Sequence, residues 1–130
     1  MLDTGHLMHT ELSLETQEDG LRYIHKMLDR HSDLCPRVRG VHLHQSLTGA
    51  YSRRMMKSPP VPEQPYTKRV WQMFEHAFRV DLHQPFSCPD VKQLIERIDP
   101  DYLTYEFISA NSAQHRMMLA EQRRALCCIV

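Results

Sequence analysis

Leu21, Ile24 and Leu28, flanked by Tyr23 and Met27, recur along the chain at helical spacing, and Thr16 followed by Asp19 forms a capping-box pattern. The pattern predicts a helix over 17–31. Pro36 stops it, and the short β-branched and apolar run 38–43, which carries His42 and leads into His44, predicts a strand near 38–44. Residues 46–65 contain Gly49 and four prolines, Pro59, Pro60, Pro62 and Pro65. That stretch is too broken for regular structure and too long for a simple connection, so an irregular functional loop is expected, above all over 51–65. Val70, Phe74, Ala77 and Phe78 predict a second helix over 66–78, with Trp71 near its start. Ser87 and Asp90 are placed to cap a third, in which Val91, Leu94, Ile95 and Ile98 make one apolar stripe before Pro100 ends it. Residues 102–108, rich in aromatic and β-branched types, predict the strongest strand, with Glu106 inside it. A final helix is expected over 112–125, and Met27, Met73 and Met117 are expected to fill the core.

Helices that alternate with strands in this way predict a parallel sheet joined by helical crossovers. Parallel strands are normally buried on both faces, so a polar residue within one is costly and informative. With 130 residues, 42% hydrophobic and 25% charged, the chain is expected to form one domain over 1–130. Sixteen Lys plus Arg balance sixteen Asp plus Glu, which argues against a protein built to grip phosphate backbone or an anionic membrane. No apolar run approaches the roughly 18 residues of a membrane span, and Asp3, His6 and His9 do not suit a signal peptide. A cytoplasmic setting is expected, with Cys35 and Cys88 as structural thiols. Cys127-Cys128-Ile129-Val130 formally fits a prenylation pattern, but Arg123 and Arg124 are its whole basic lead, so an unmodified end is expected.

Four groups of residues carry candidate chemistry. If Met1 and Leu2 end a strand, Asp3 and His6 of Asp3-Thr4-Gly5-His6 lie at its carboxyl edge, where parallel α/β folds place their sites; the competing reading is a solvated tail. His42 and His44, two apart on a strand, project to one face, a placement suited to metal binding. Asp81 and His83 of Asp81-Leu82-His83-Gln84-Pro85 converge on a site or else form an Asx-type turn. Glu106, a carboxylate in an apolar strand, calls for a partner, and a cation is the simplest one.

In order and placement, Asp-x-x-His after one strand, His-x-His on the next, Asp-x-His-x-Pro in the following loop and Glu on the last strand resemble the final three βα units of a xylose isomerase-like TIM barrel. That superfamily contains sugar phosphate isomerases and epimerases and abasic-site endonucleases. The resemblance implies an α/β fold, a partial (β/α)8 barrel made of its C-terminal βαβαβα portion with parallel strands. By position it implies Asp3, His44 and Glu106 as metal ligands, with His42 the alternative histidine, and His6 as a substrate-holding residue. Asp81 and His83 match the pair that holds an additional metal in the endonuclease branch, although the glycines that usually follow are replaced by Phe86-Ser87-Cys88-Pro89. A complete barrel has eight strands in about 250 residues, and the family's fourth ligand, a glutamate on an earlier strand, has no counterpart here. The chain is therefore expected to be a C-terminal fragment that self-associates or pairs with a separately encoded N-terminal part. Alone, it is expected to bind metal weakly and to turn over little substrate.

The leading expectation is an isomerase or epimerase of a sugar or sugar phosphate. Its cofactor would be a divalent ion, Mn, Co, Zn or Mg, that stabilises an enediolate, and Glu106 is also placed to move the proton. Arg53 and Arg54 are candidates for binding a phosphate or sugar hydroxyls. An abasic-site endonuclease is the rival enzyme, and a non-catalytic remnant or interaction module is the alternative from another class. Neither a membrane nor a nucleic acid is the expected partner.

Overall fold

The computed structural model describes residues 1–62 and 65–127. The elements run β1 (Leu2–Asp3), α1 (Thr4–Met8), α2 (Gln17–Arg30), a 3-10 turn (Cys35–Arg37), β2 (Gly40–Leu43), α3 (Gly49–Lys57), α4 (Tyr66–Val80), α5 (Val91–Ile98), β3 (Tyr102–Tyr105) and α6 (Ser112–Cys127). The strands form a parallel sheet in the order β1-β2-β3, with Asp3 beside His42 and His42 beside Thr104. The parallel α/β architecture is as expected, and β1 and β3 are its two edges.

Register separates the two faces of the sheet. Leu2, Val41, Leu43, Leu103 and Tyr105 share the face that packs on Ile24, Leu28, Phe86, Val91 and Leu94. Asp3, Gly40, His42, Tyr102 and Thr104 share the other, where Tyr102 and Thr104 are exposed. The expectation of burial on both faces is thus corrected, because the apolar stripes of α2 and α5 join one face of the sheet and leave the other open. The strand expected over 102–108 also ends earlier, at Tyr105, so Glu106 follows the strand and does not sit inside it.

Local chemistry explains the helices. Thr16 Oγ1 accepts the Asp19 N–H at 3.1 Å while an Asp19 carboxylate oxygen accepts the Thr16 N–H at 3.1 Å, so α2 begins with the capping box read from the sequence. Its Leu21, Ile24 and Leu28 are buried. In α5, Val91, Leu94 and Ile98 are buried, and Asp99 ends the helix in the left-handed region at φ 48° before Pro100. Neither Ser87 nor Asp90 caps α5 through its side chain. The Ser87 and Cys88 N–H groups instead donate to Gln17 Oε1, at 2.8 and 3.0 Å, and tie this loop to the start of α2.

Two further expectations are corrected. The stretch 46–65 is not irregular throughout, because residues 49–57 form α3; its prolines begin only at Pro59, and nothing before them obstructs a helix. Helix α4 is present, but none of its residues is buried, so Trp71, Met73, Phe74 and Phe78 face outward instead of filling the core. Met117 is exposed as well, and the methionines that are buried are Met8, packed against Gly20, and Met118 of α6. No helix among the described residues is long and apolar enough to cross a membrane. Of the prenylation pattern, residues 128–130 lie outside the described residues.

The fully buried Phe86 anchors the loop between α4 and α5, and its N–H donates to Gln122 Oε1 of α6 at 2.9 Å. Phe86→Ala should cost about 3–5 kcal/mol in urea denaturation. Met117→Ala, on the exposed side of α6, should change stability by no more than about 0.5 kcal/mol.

Candidate metal centre

Asp3 closes β1 and opens α1. Its Oδ1 accepts the His6 N–H at 2.8 Å, the bond of an N-cap residue. The same carboxylate meets three imidazoles: His44 Nε2 at 3.0 Å, His6 Nδ1 at 3.2 Å and His42 Nδ1 at 3.6 Å. This segment is no solvated tail, since Thr4 is fully buried and its hydroxyl donates to the His44 carbonyl at 2.6 Å and accepts the His44 N–H at 3.1 Å. Gly5 is required by close approach, because a Cβ there would overlap the His44 ring at Cε1 and Nδ1.

The second half of the cluster comes from the loop after α4. Paired backbone bonds between Gln45 and Gln84, at 2.7 and 3.0 Å, fasten that loop to the end of β2, and the Ile108 N–H donates to the His83 carbonyl at 3.3 Å. Buried Ser46 fixes Asp81: its hydroxyl donates to Asp81 Oδ1 at 3.3 Å and accepts the Leu82 N–H at 3.2 Å. The carboxylate of Asp81 thus serves the cluster and forms no Asx-type turn. His83 adopts a left-handed backbone, φ 45°, uncommon for a side-chain-bearing residue, and its ring stacks on that of His44 with centroids 4.0 Å apart.

Glu106, just beyond β3, completes the arrangement. Its Oε1 lies 3.1 Å from His42 Nδ1 and its Oε2 lies 3.8 Å from His83 Nε2. Three overlapping groups each offer one ligand atom per residue within 4.8 Å of one another: Asp3, His42 and Glu106; His44, His83 and Glu106; and His6, Asp81 and His83. His42 is therefore the histidine that joins Asp3 and Glu106, while His44, the histidine first expected there, joins His83 and Glu106.

The donor set fits a divalent cation. Carboxylate oxygens and imidazole nitrogens converge, the cluster's ion pairs are all between histidine and carboxylate, and His9 Nε2 and His83 Nδ1 are buried without a hydrogen bond. Burial holds the His44 pKa below the ordinary histidine value of 6.5 and leaves a neutral imidazole, the form that binds metal. Burial likewise lowers His9. The hydrogen bond to Asp81, 3.0 Å from Nε2, raises His6. Burial would raise Asp81, but the His6 hydrogen bond and the charges of His83, His6 and His9 outweigh it and lower its pKa.

Arg53 and Arg54 are not part of the cluster: Arg53 donates to the Leu12 carbonyl and the Arg54 guanidinium lies 5.4 Å from the Tyr51 ring centroid. Both are residues of α3, where these contacts hold them. His9, Thr4 and Ser46 contribute without having been singled out from the sequence. His9 lies three residues after His6, one helical turn along, with ring centroids 5.8 Å apart. No protein-family model, curated protein or solved structure matches this chain.

Gly5→Ala should destabilise the protein by about 1–3 kcal/mol in thermal or urea melts, since α1 and the His44 ring must part. Gly40→Ala should cost far less, because its nearest neighbours would lie at an ordinary 3.8 Å. In NMR titration, His44 should protonate below 6.5 and His6 above it. His44 binds its proton more readily when unfolded, so its effect is to lower stability as pH falls through 6.5. The opposing contribution of His6 is present below 6.5 and is lost as pH rises through its folded value.

Proposed function

We propose that this chain carries the metal-binding edge of a sugar or sugar-phosphate isomerase or epimerase, with Asp3, His42 and Glu106 as ligands. The observation that carries the reading is the convergence of one carboxylate from β1, one imidazole from β2 and one carboxylate after β3 at the carboxyl edge of a parallel sheet. When bound, a divalent cation there supplies electrophilic stabilisation of the negative charge that develops on the substrate's carbonyl and hydroxyl oxygens.

The residues of the chain do the rest. Glu106 is 37% exposed on the open side of the cluster, so it is accessible to a substrate and accepts the proton that leaves the carbon next to the carbonyl. His6, 54% exposed and held by Asp3 and Asp81, presents an imidazole to a sugar hydroxyl. Thr4 and Ser46 hold His44 and Asp81 in place, the supporting role that ligand residues require. Proton removal needs one base, whereas full interconversion needs a proton returned as well.

A second reading, an abasic-site phosphodiesterase, draws on the third group, His6, Asp81 and His83, since clusters of ions suit phosphodiester hydrolysis. Calorimetric titration with Mn, Co, Zn and Mg, followed by exchange of a sugar's α-hydrogen in deuterated water, separates the two. Metal-dependent exchange should occur and should fall at least about tenfold in Glu106→Gln. Equal exchange in both proteins would refute the isomerase assignment. Metal-dependent nicking of abasic DNA without exchange would favour the nuclease.

A further inference from the structure

We propose that α4 is an interface through which two copies of this chain pair antiparallel. The helix packs against α3 and buries none of its residues fully. Gln72, Met73, His76 and Val80 line the open groove shared with α3, and they recur at helical spacing on one side. Thr67, Trp71, Phe74 and Phe78, spaced four, three and four apart, fall on the opposite side, the spacing of a helix–helix seam.

Trp71 is 74% exposed, Phe74 54% and Phe78 57%. At the 150–250 Å² typical of aromatic side chains, the three leave roughly 400 Å² of aromatic surface in water. That is about half of the roughly 800 Å² that each partner of a stable pair buries, and the flanking Thr67, Lys68, Val70, Glu75 and Ala77 extend it. Aromatic residues and methionine are the types enriched at such surfaces.

Charge selects the occupant and its direction. Lys68 and Glu75 are seven residues apart and so lie on the same flank of the seam. In an antiparallel pair that flank meets itself, which brings Lys68 of one copy towards the partner's Glu75 twice across the two-fold axis. In a parallel pair the same flank would face Val70 and Ala77, so Lys68 would meet no acid across the seam and Glu75 would keep only Arg79 of its own helix, 2.6 Å away. A second copy therefore supplies both the apolar seam and the matching charges.

Trp71 is the only tryptophan in the sequence, so fluorescence reads this surface directly. Sedimentation velocity and tryptophan emission of the full chain across a concentration series should show a dimer with a Kd on the order of micromolar and a concentration-dependent blue shift. Trp71→Ser and Phe74→Ser should each abolish it. Lys68→Glu should raise the Kd roughly fivefold, and Lys68→Glu with Glu75→Lys should return it to within about twofold of the original. If a serine variant loses its circular dichroism signal, the charge exchange decides alone. A monomer up to about 100 μM would overturn the proposal. So would a dimer indifferent to all four substitutions, which would place the contact on the open sheet edges. An emission shift with phosphatidylserine vesicles and no self-association would make this face a membrane-binding one and would equally overturn it.

Discussion

The arrangement of the polar cluster depends on one carboxylate, that of Asp3. It terminates β1, accepts the His6 N–H in the first turn of α1 and contacts imidazoles from α1, from β2 and from His44 just after it. Hydrogen bonds to a charged group contribute about 1.5–3 kcal/mol each, so the ionised group fastens the start of the chain to its centre. Thr4 adds to this by bonding the His44 backbone, and Gly5 allows the ring of His44 to lie against α1. A two-residue strand at a terminus would ordinarily fray; here it is held by polar contacts as much as by its pairing with β2.

Much of this was legible in the residues themselves. The capping box at Thr16, the apolar stripes of α2 and α5 and the strand at β2 follow from local patterns whose tertiary environment agrees with them. The positions of Asp3, His42, His44, Asp81, His83 and Glu106 were readable because motifs placed after successive parallel strands must meet at one edge of the sheet. Which histidine meets which carboxylate was not, since that depends on the left-handed backbone at His83 and on the Gln45–Gln84 bridge, contacts between segments distant in sequence. Helix α3 was hidden by prolines that lie beyond its end. The outward face of α4 was hidden for another reason: an apolar stripe announces that a surface is to be covered, but not by what.

The open face of the sheet and the open face of α4 differ in kind, and the difference follows from how each answers water. Asp3, His42, His83 and Glu106 are only partly buried, so charge and lone pairs remain available to a ligand while the surrounding backbone fixes their geometry. Their cost in the folded state is the crowding of carboxylates, which the histidines offset in part and a cation would offset more fully.

Trp71, Phe74 and Phe78 present the opposite problem, since their cost is apolar area in contact with water and no ion or small polar ligand relieves it. What relieves it is another apolar surface of similar length, and a helix with matching flank charges meets that need. The polar cluster is built by residues from β1, β2, the loop after α4 and the segment after β3, so a change in any one of them alters its geometry. The seam on α4 is built by one helix alone, so it is fixed by local sequence spacing. The polar cluster and the apolar seam adjoin at the end of α4, where Asp81 both caps the helix by donating its N–H to the Ala77 carbonyl and offers its carboxylate to the cluster.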